Sequence, residues 1–182
     1  MTFEGTTRGY AQQLVVTIGK CASIARPDRD DVPRRPIADG STWVIARGFT
    51  ERELASWPDA AVPPFRLIYG GVLHLYLRMR QVGTRSRPEV EIDAYRIKVE
   101  NLADNPNGIG ALRYDKTPGL TRGQGWDDDL QDNPQHPLCH LHLNYRVRGA
   151  NDLRLPTGHV SPLLLLAAFD HWYYSTYHPS NA

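Results

Sequence analysis

Residues 65–81 read "FRLIYGGVLHLYLRMRQ", and the second half of that stretch decides the kind of fold. Leu73, Leu75, Leu77 and Met79 alternate with His74, Tyr76, Arg78 and Arg80. Successive side chains of a strand point to opposite sides, so a period of two predicts a strand with one face in a core and the other polar. Residues 90–101, "VEIDAYRIKVEN", alternate likewise, with Val90, Ile92 and Ala94 opposite Glu91, Asp93 and Tyr95. That pattern blurs at Ile97 to Val99, where a bulge or an edge would fit.

Working outward, "GALRYDK" (110–116) reads as the partner strand across the "ADNPNGIG" turn, and "STWVIARGF" (41–49) and "NDLRLP" (151–156) read as shorter strands. Before them, Tyr10, Leu14, Val15, Ile18 and Ala22 recur at helical spacing, which predicts an amphipathic helix over Thr7 to Ser23. "ARPDRDDVPRRP" then breaks regular structure with three prolines, and it is expected to be a loop. In "TERELASWP", Thr50 and Glu53 have capping-box spacing ahead of Pro58, so a short helix is expected.

The clearest helix is "SPLLLLAAFDHWYYSTYH", with Ser161 as N-cap and Pro162 at the first helical position; its first half is expected to be buried all round. Trp172, Tyr173, Tyr174 and Tyr177 on it are expected to pack rather than stack on bases. Thr117 to Gln135 carries Gly, Pro and acidic residues with few apolar ones, and reads as a long exposed loop. The sum is α+β: a single antiparallel sheet of five to six strands, with an N-terminal and a C-terminal helix packed on one side. With 182 residues and 41% hydrophobic content the chain supports one core, so residues 1–182 are expected to form one domain.

Composition narrows the function. Lys and Arg total 21 against 20 Asp and Glu, a net charge of +1, so any binding of a polyanion must come from a local patch. The longest apolar run, Leu163 to Phe169, is far below the roughly 18 residues of a membrane-spanning helix, and no membrane partner is expected. Two distant cysteines, Cys21 and Cys139, and no signal-peptide pattern point to a reducing cytoplasm. No G-x-G-x-x-G, Walker, G-x-S-x-G or C-x-x-C motif occurs, which disfavours nucleotide-cofactor oxidoreductases, NTPases, serine hydrolases and thiol-redox proteins. No cofactor is expected.

The candidate chemistry lies in "HPLCHLHLN" (136–144). On a strand, His140, His142 and Asn144 share one face while Cys139, Leu141, Leu143 and Tyr145 take the other. Two imidazoles about 7 Å apart can serve as base and acid near neutral pH, or hold a metal. His136 and His159 lie in the flanking loops. A metal site wants three or four ligands including a carboxylate or thiolate. Arg146 and Val147 stand where an H-x-H strand of the cupin type carries its Glu, so metal binding is the secondary expectation. Arg113 and Arg154 each sit inside a strand beside apolar residues, where a guanidinium needs an anion. Asp115 is the internal candidate, and a substrate phosphate the functional one.

The order "YRIKVEN", "RYDK", "HLHLN", "LRLP" and a Ser-Pro helix ending in "FDHWYY" resembles the TumE-type toxin family of bacterial toxin–antitoxin systems. Members of that family carry a Y-R strand, an R/G-Y-D strand, a close histidine cluster and a closing apolar helix. The similarity covers about Glu89 to Tyr174, within a toxin-like core at 89–177; the insertion Thr117 to Gln135 and the N-terminal half have no counterpart in it. Tyr114, Asp115, His140 and His142 match, and Arg154 falls where the family often has Arg before its helix. The resemblance implies a toxin or defence protein acting on RNA and normally held by a protein partner. The catalytic candidates are therefore His140, His142, Arg113 and Arg154, with Tyr114, Asp115, Asn144, His136 and His159 as substrate-binding candidates. The alternatives are a non-catalytic subunit of such an assembly and a metal-binding β protein.

Overall fold

The computed structural model describes residues 2–30, 37–39, 42–48, 62–102, 109–116, 139–145, 153–156 and 160–178. At 37–39, 93, 109–110, 115–116, 139–140, 142–145 and 153–156 the description is of the backbone. The elements run β1 (Thr2–Glu4), α1 (Thr7–Lys20), α2 (Arg26–Asp30), β2 (Ile37–Asp39), β3 (Thr42–Arg47), β4 (Phe65–Arg66), β5 (Val72–Gly83), β6 (Pro88–Glu100), β7 (Ile109–Lys116), β8 (Cys139–Tyr145), β9 (Leu153–Pro156) and α3 (Pro162–Tyr177). The short helix expected at 50–58 and the loop expected at 117–135 lie outside the described residues.

One antiparallel sheet joins all the strands. Seven follow in the order β2-β3-β5-β6-β7-β8-β9, while β1 pairs with the start of β6 and β4 with the start of β5. The expected α+β class holds. The sheet is wider than the five or six strands expected because β1, β2 and β4 are two or three residues long, too short to show a period. The long β5–β6 hairpin is its centre, and β7, β8 and β9 extend it as a meander.

Both helices pack on one face. Tyr10, Ala11, Leu14 and Ile18 of α1 and Leu166, Phe169 and Tyr173 of α3 join Leu73, Leu75, Leu77, Met79, Val90, Ile92, Tyr95, Ile97, Val99 and Tyr114 in one core. Polar contacts also tie the helices to each other and to the sheet. Asp170 of α3 accepts hydrogen bonds from the Ala22 and Ser23 amides at 3.1 and 2.7 Å, and from the Ser23 hydroxyl. The Tyr95 hydroxyl donates to the carbonyl of Val160 at the entrance to α3, and the Tyr173 hydroxyl donates to the Gly70 carbonyl at 2.7 Å.

Four local expectations change. The first helix ends at Lys20 with Cys21 as its C-cap, three residues before Ser23, and Arg26–Asp30 of the expected loop forms one helical turn. Asp28 there accepts from the Arg66 amide at 2.6 Å and from its guanidinium at 3.1 Å, which holds the turn on β4. The first half of α3 is not buried all round, since Leu164 is 63% exposed while Leu166 is fully buried. Finally, the irregularity in β6 lies earlier than Ile97. Arg78 pairs with Ala94 and Met79 with Ile92, so Asp93 is an extra residue, a β-bulge.

That bulge reverses the phase of β6. Val90 and Ile92 point to the helices before it, and Tyr95, Ile97 and Val99 after it. Tyr95 therefore belongs to the core, and Arg96 and Lys98 are put on the other side of the sheet. Among the described residues no helix is long and apolar enough to cross a membrane.

Candidate active site

The face away from the helices is built by cross-strand register. Along one row, His74 of β5 is opposite Lys98 of β6, Lys98 opposite Arg113 of β7, Arg113 opposite His142 of β8, and His142 opposite Arg154 of β9. The next row runs Tyr76, Arg96, Asp115, His140 and Pro156. Adjacent strands are about 4.8 Å apart, so the four positions from Lys98 to Arg154 span about 14 Å.

Lys98 on β6 and Arg113 on β7 thus stand directly opposite one another, and on β8 a histidine stands between Arg113 and Arg154 of β9. Like charges directly opposite across a sheet are destabilising, by up to about 1 kcal/mol a pair on the scale of cross-strand interactions. An arrangement of this kind is suited to an anion laid across the strands.

The β5 end of the first row is described in side-chain detail. The Nδ1 of His74 donates to the Gly48 carbonyl at 2.7 Å, and its Nε2 lies 3.1 Å from Glu100 Oε2. The other Glu100 oxygen is 2.6 Å from Lys98 Nζ. Gly48 has φ +83°, and a Cβ there would come within 2.5 Å of His74 Nδ1 and 2.9 Å of Pro64 Cβ, so only glycine lets the imidazole approach. His74 and Glu100 were absent from the sequence-derived set. His74 could have been found by its place on the polar side of an alternating strand, whereas Glu100 gave no such signal, because only the bulge at Asp93 puts it on this side.

Val44, Ala46, Tyr76 and Ala94 lie on the same side at β3 to β6. All are at most 5% exposed although they lie outside the helix-side core. Arg96, Lys98 and Arg113 are half-buried beside them.

The expected site residues divide as follows. Register brings Arg113, His142 and Arg154 together in one row, and Asp115 and His140 into the next. Asn144 is on the same side, opposite Ala111. Asp115 was the expected partner of Arg113 or Arg154, but it stands opposite neither; its cross-strand neighbours are Arg96 and His140. Tyr114 is corrected. It is 2% exposed on the helix side and stacked on Tyr95 with ring centroids 5.6 Å apart, because strand alternation separates it from Arg113 and Asp115. It holds the sheet to its core and has no access to this face. His136 and His159 lie outside the described residues.

Among the described residues no group of three or more His, Cys, Asp or Glu is placed to hold a metal. Cys21 is buried against α1, and burial pushes its thiol up to about 12, away from nucleophilic use. Comparison of the chain with protein-family models, with characterised proteins and with solved structures returned no match.

Proposed function

We propose that this protein is a phosphodiester-directed enzyme, a metal-independent ribonuclease of toxin type that works on cytoplasmic RNA. The observation that carries the reading is the row Lys98, Arg113, His142, Arg154, with His140 one row away on the same side of the sheet. Guanidinium groups bind phosphate bidentately and remain charged at any physiological pH, while imidazole exchanges a proton near neutrality. Their combination on one face supplies the parts that RNA cleavage needs.

In this reading one histidine removes the proton of the 2′-hydroxyl, whose oxygen attacks the adjacent phosphorus. The P–O5′ bond breaks as the other histidine protonates the leaving oxygen, giving a 2′,3′-cyclic phosphate and a free 5′-hydroxyl. Arg113 and Arg154 hold the phosphate and stabilise the charge that builds up on its oxygens in the transition state. A protein partner that covers this face would hold the activity in check, as the toxin-type resemblance implies. Total RNA incubated with the protein in the presence of a chelator is expected to be cut, and His140→Ala and His142→Ala are each expected to lower the rate by about 10²- to 10⁴-fold. Two variants that cut as well as the parent would overturn the assignment.

A further inference from the structure

The register does not treat the two histidines alike. His142 stands directly between Arg113 on β7 and Arg154 on β9, with His140 and Asn144 beside it along β8 and Asp115 one row away on the diagonal. His140 stands directly between Asp115 on β7 and Pro156 on β9, with Arg96 beyond Asp115 on β6 and Arg113 and Arg154 more distant on the diagonals. Directly opposed positions in an antiparallel pair have Cβ atoms about 4.5 to 5.5 Å apart, close enough for a neighbouring charge to decide which protonation state is favoured. Two fixed cations disfavour a third positive charge at position 142. A carboxylate favours one at position 140.

We infer that His142 is the general base and His140 the general acid of the proposed cleavage, an assignment that rests on the ribonuclease reading and divides its two proton transfers. Neutral His142, beside the arginines that hold the phosphate, takes the 2′-hydroxyl proton as O2′ bonds to phosphorus. The imidazolium of His140, kept charged by Asp115, gives its proton to O5′ as the P–O5′ bond breaks. The enzyme ends the step with the protons exchanged and no net change, and the cyclic product can be hydrolysed by the same pair working in reverse.

The leaving group separates the two roles. A dinucleotide such as UpA leaves as an alkoxide and needs the acid, whereas uridine 3′-(4-nitrophenyl phosphate) releases a phenolate that needs no proton. His140→Ala is expected to lose about 10²- to 10⁴-fold on UpA and to stay within several-fold of the parent on the aryl ester; His142→Ala is expected to lose activity on both. The reverse pattern, or equal losses on both substrates for both variants, overturns the assignment.

An NMR titration of the full chain supplies a readout that does not depend on turnover. The His140 ring is expected to titrate above His142. Asp115→Asn should lower the first midpoint, and Arg154→Gln should raise the second. A parent chain that cuts neither substrate but shows this order overturns the ribonuclease reading and keeps the charge ordering. The opposite order overturns the inference even in an active enzyme.

Discussion

The two sides of the sheet solve opposite problems with alternate residues of the same strands. On the helix side, Leu73, Leu75, Leu77, Ile97, Val99 and Tyr114 are all at most 2% exposed, and their neighbours across the strands are apolar or aromatic except for Arg47, opposite Leu75, whose guanidinium lies over the Phe65 ring. On the other side, His74, Lys98, Arg113, His142 and Arg154 succeed one another across five strands. The first side gains stability from burial, at about 25 cal/mol per Å² of apolar surface removed from water. The second side combines buried Val44, Ala46, Tyr76 and Ala94 and the ion pairs of Glu100 with His74 and Lys98 and of Arg80 with Glu91 with basic residues opposed on β6 and β7. The contrast teaches that burial organises the first side, whereas the opposed basic positions of the second are what the proposed phosphate-binding role would use, and each side can be tested by a change that spares the other.

The largest effect belongs to the core. Leu77 is fully buried between Ile45 and Tyr95. Leu77→Ala is expected to cost about 2 to 5 kcal/mol, read as a lower denaturation midpoint, while the protein that remains folded is expected to match the parent in the proposed RNA cleavage. A loss of turnover in fully folded protein would mean that the two sides are coupled.

Next is the glycine that joins β3 to the polar side. At Gly48 an alanine would need a strained positive φ as well as room that His74 and Pro64 occupy. Gly48→Ala is expected to lose about 1 to 3 kcal/mol and to displace the His74 ring, which an NMR shift of that ring would report. An unmoved ring would show that the Gly48 carbonyl does not orient His74.

Much of this division is legible in the sequence. The period of two at Leu73 to Arg80 gives the strand and both of its faces, and the alternation at His140 to Asn144 puts both histidines on one side. The same rule, applied to "LRYD", separates Tyr114 from Arg113 and Asp115, and it is a better guide there than the family resemblance that grouped them. Other features were out of reach for a physical reason: they are set by a partner strand. The bulge at Asp93 exists only relative to β5, and without it Arg96 and Lys98 would be assigned to the core side. The contact of His74 with Gly48 and Glu100 joins residues 26 apart in each case, through strand pairing that no local pattern encodes.

A smaller effect tests what fastens the helical layer to the sheet edge. Hydrogen bonding from the Arg66 guanidinium, reinforced by the Arg66 amide, holds the Asp28 carboxyl below its ordinary value. A carboxyl depressed on folding contributes stability that is present above its unfolded value of 3.8 and is lost as the pH falls through the lower folded value. Asp28→Asn is expected to cost about 1 to 2 kcal/mol at neutral pH, and the gap to the parent should close in acid. A gap that persists unchanged at pH 3 would mean that the charge is not what matters.

The smallest change in stability should come from the polar row itself, and there the sign is the informative part. Arg154 is on β9, which pairs only with β8 among the described strands, and it stands opposite His142. If the row existed for folding, Arg154→Gln would destabilise the chain. If it exists to hold a polyanion, removing the guanidinium opposite His142 should leave the denaturation midpoint unchanged or raise it by a few tenths of a kcal/mol. RNA affinity should fall at the same time. The dependence of log K on log salt should flatten by about 0.7, the value of one phosphate contact to a single strand. Unchanged salt dependence with lowered stability would move Arg154 from the binding side of the comparison to the structural one, and would leave His142 with a single basic neighbour across the strands.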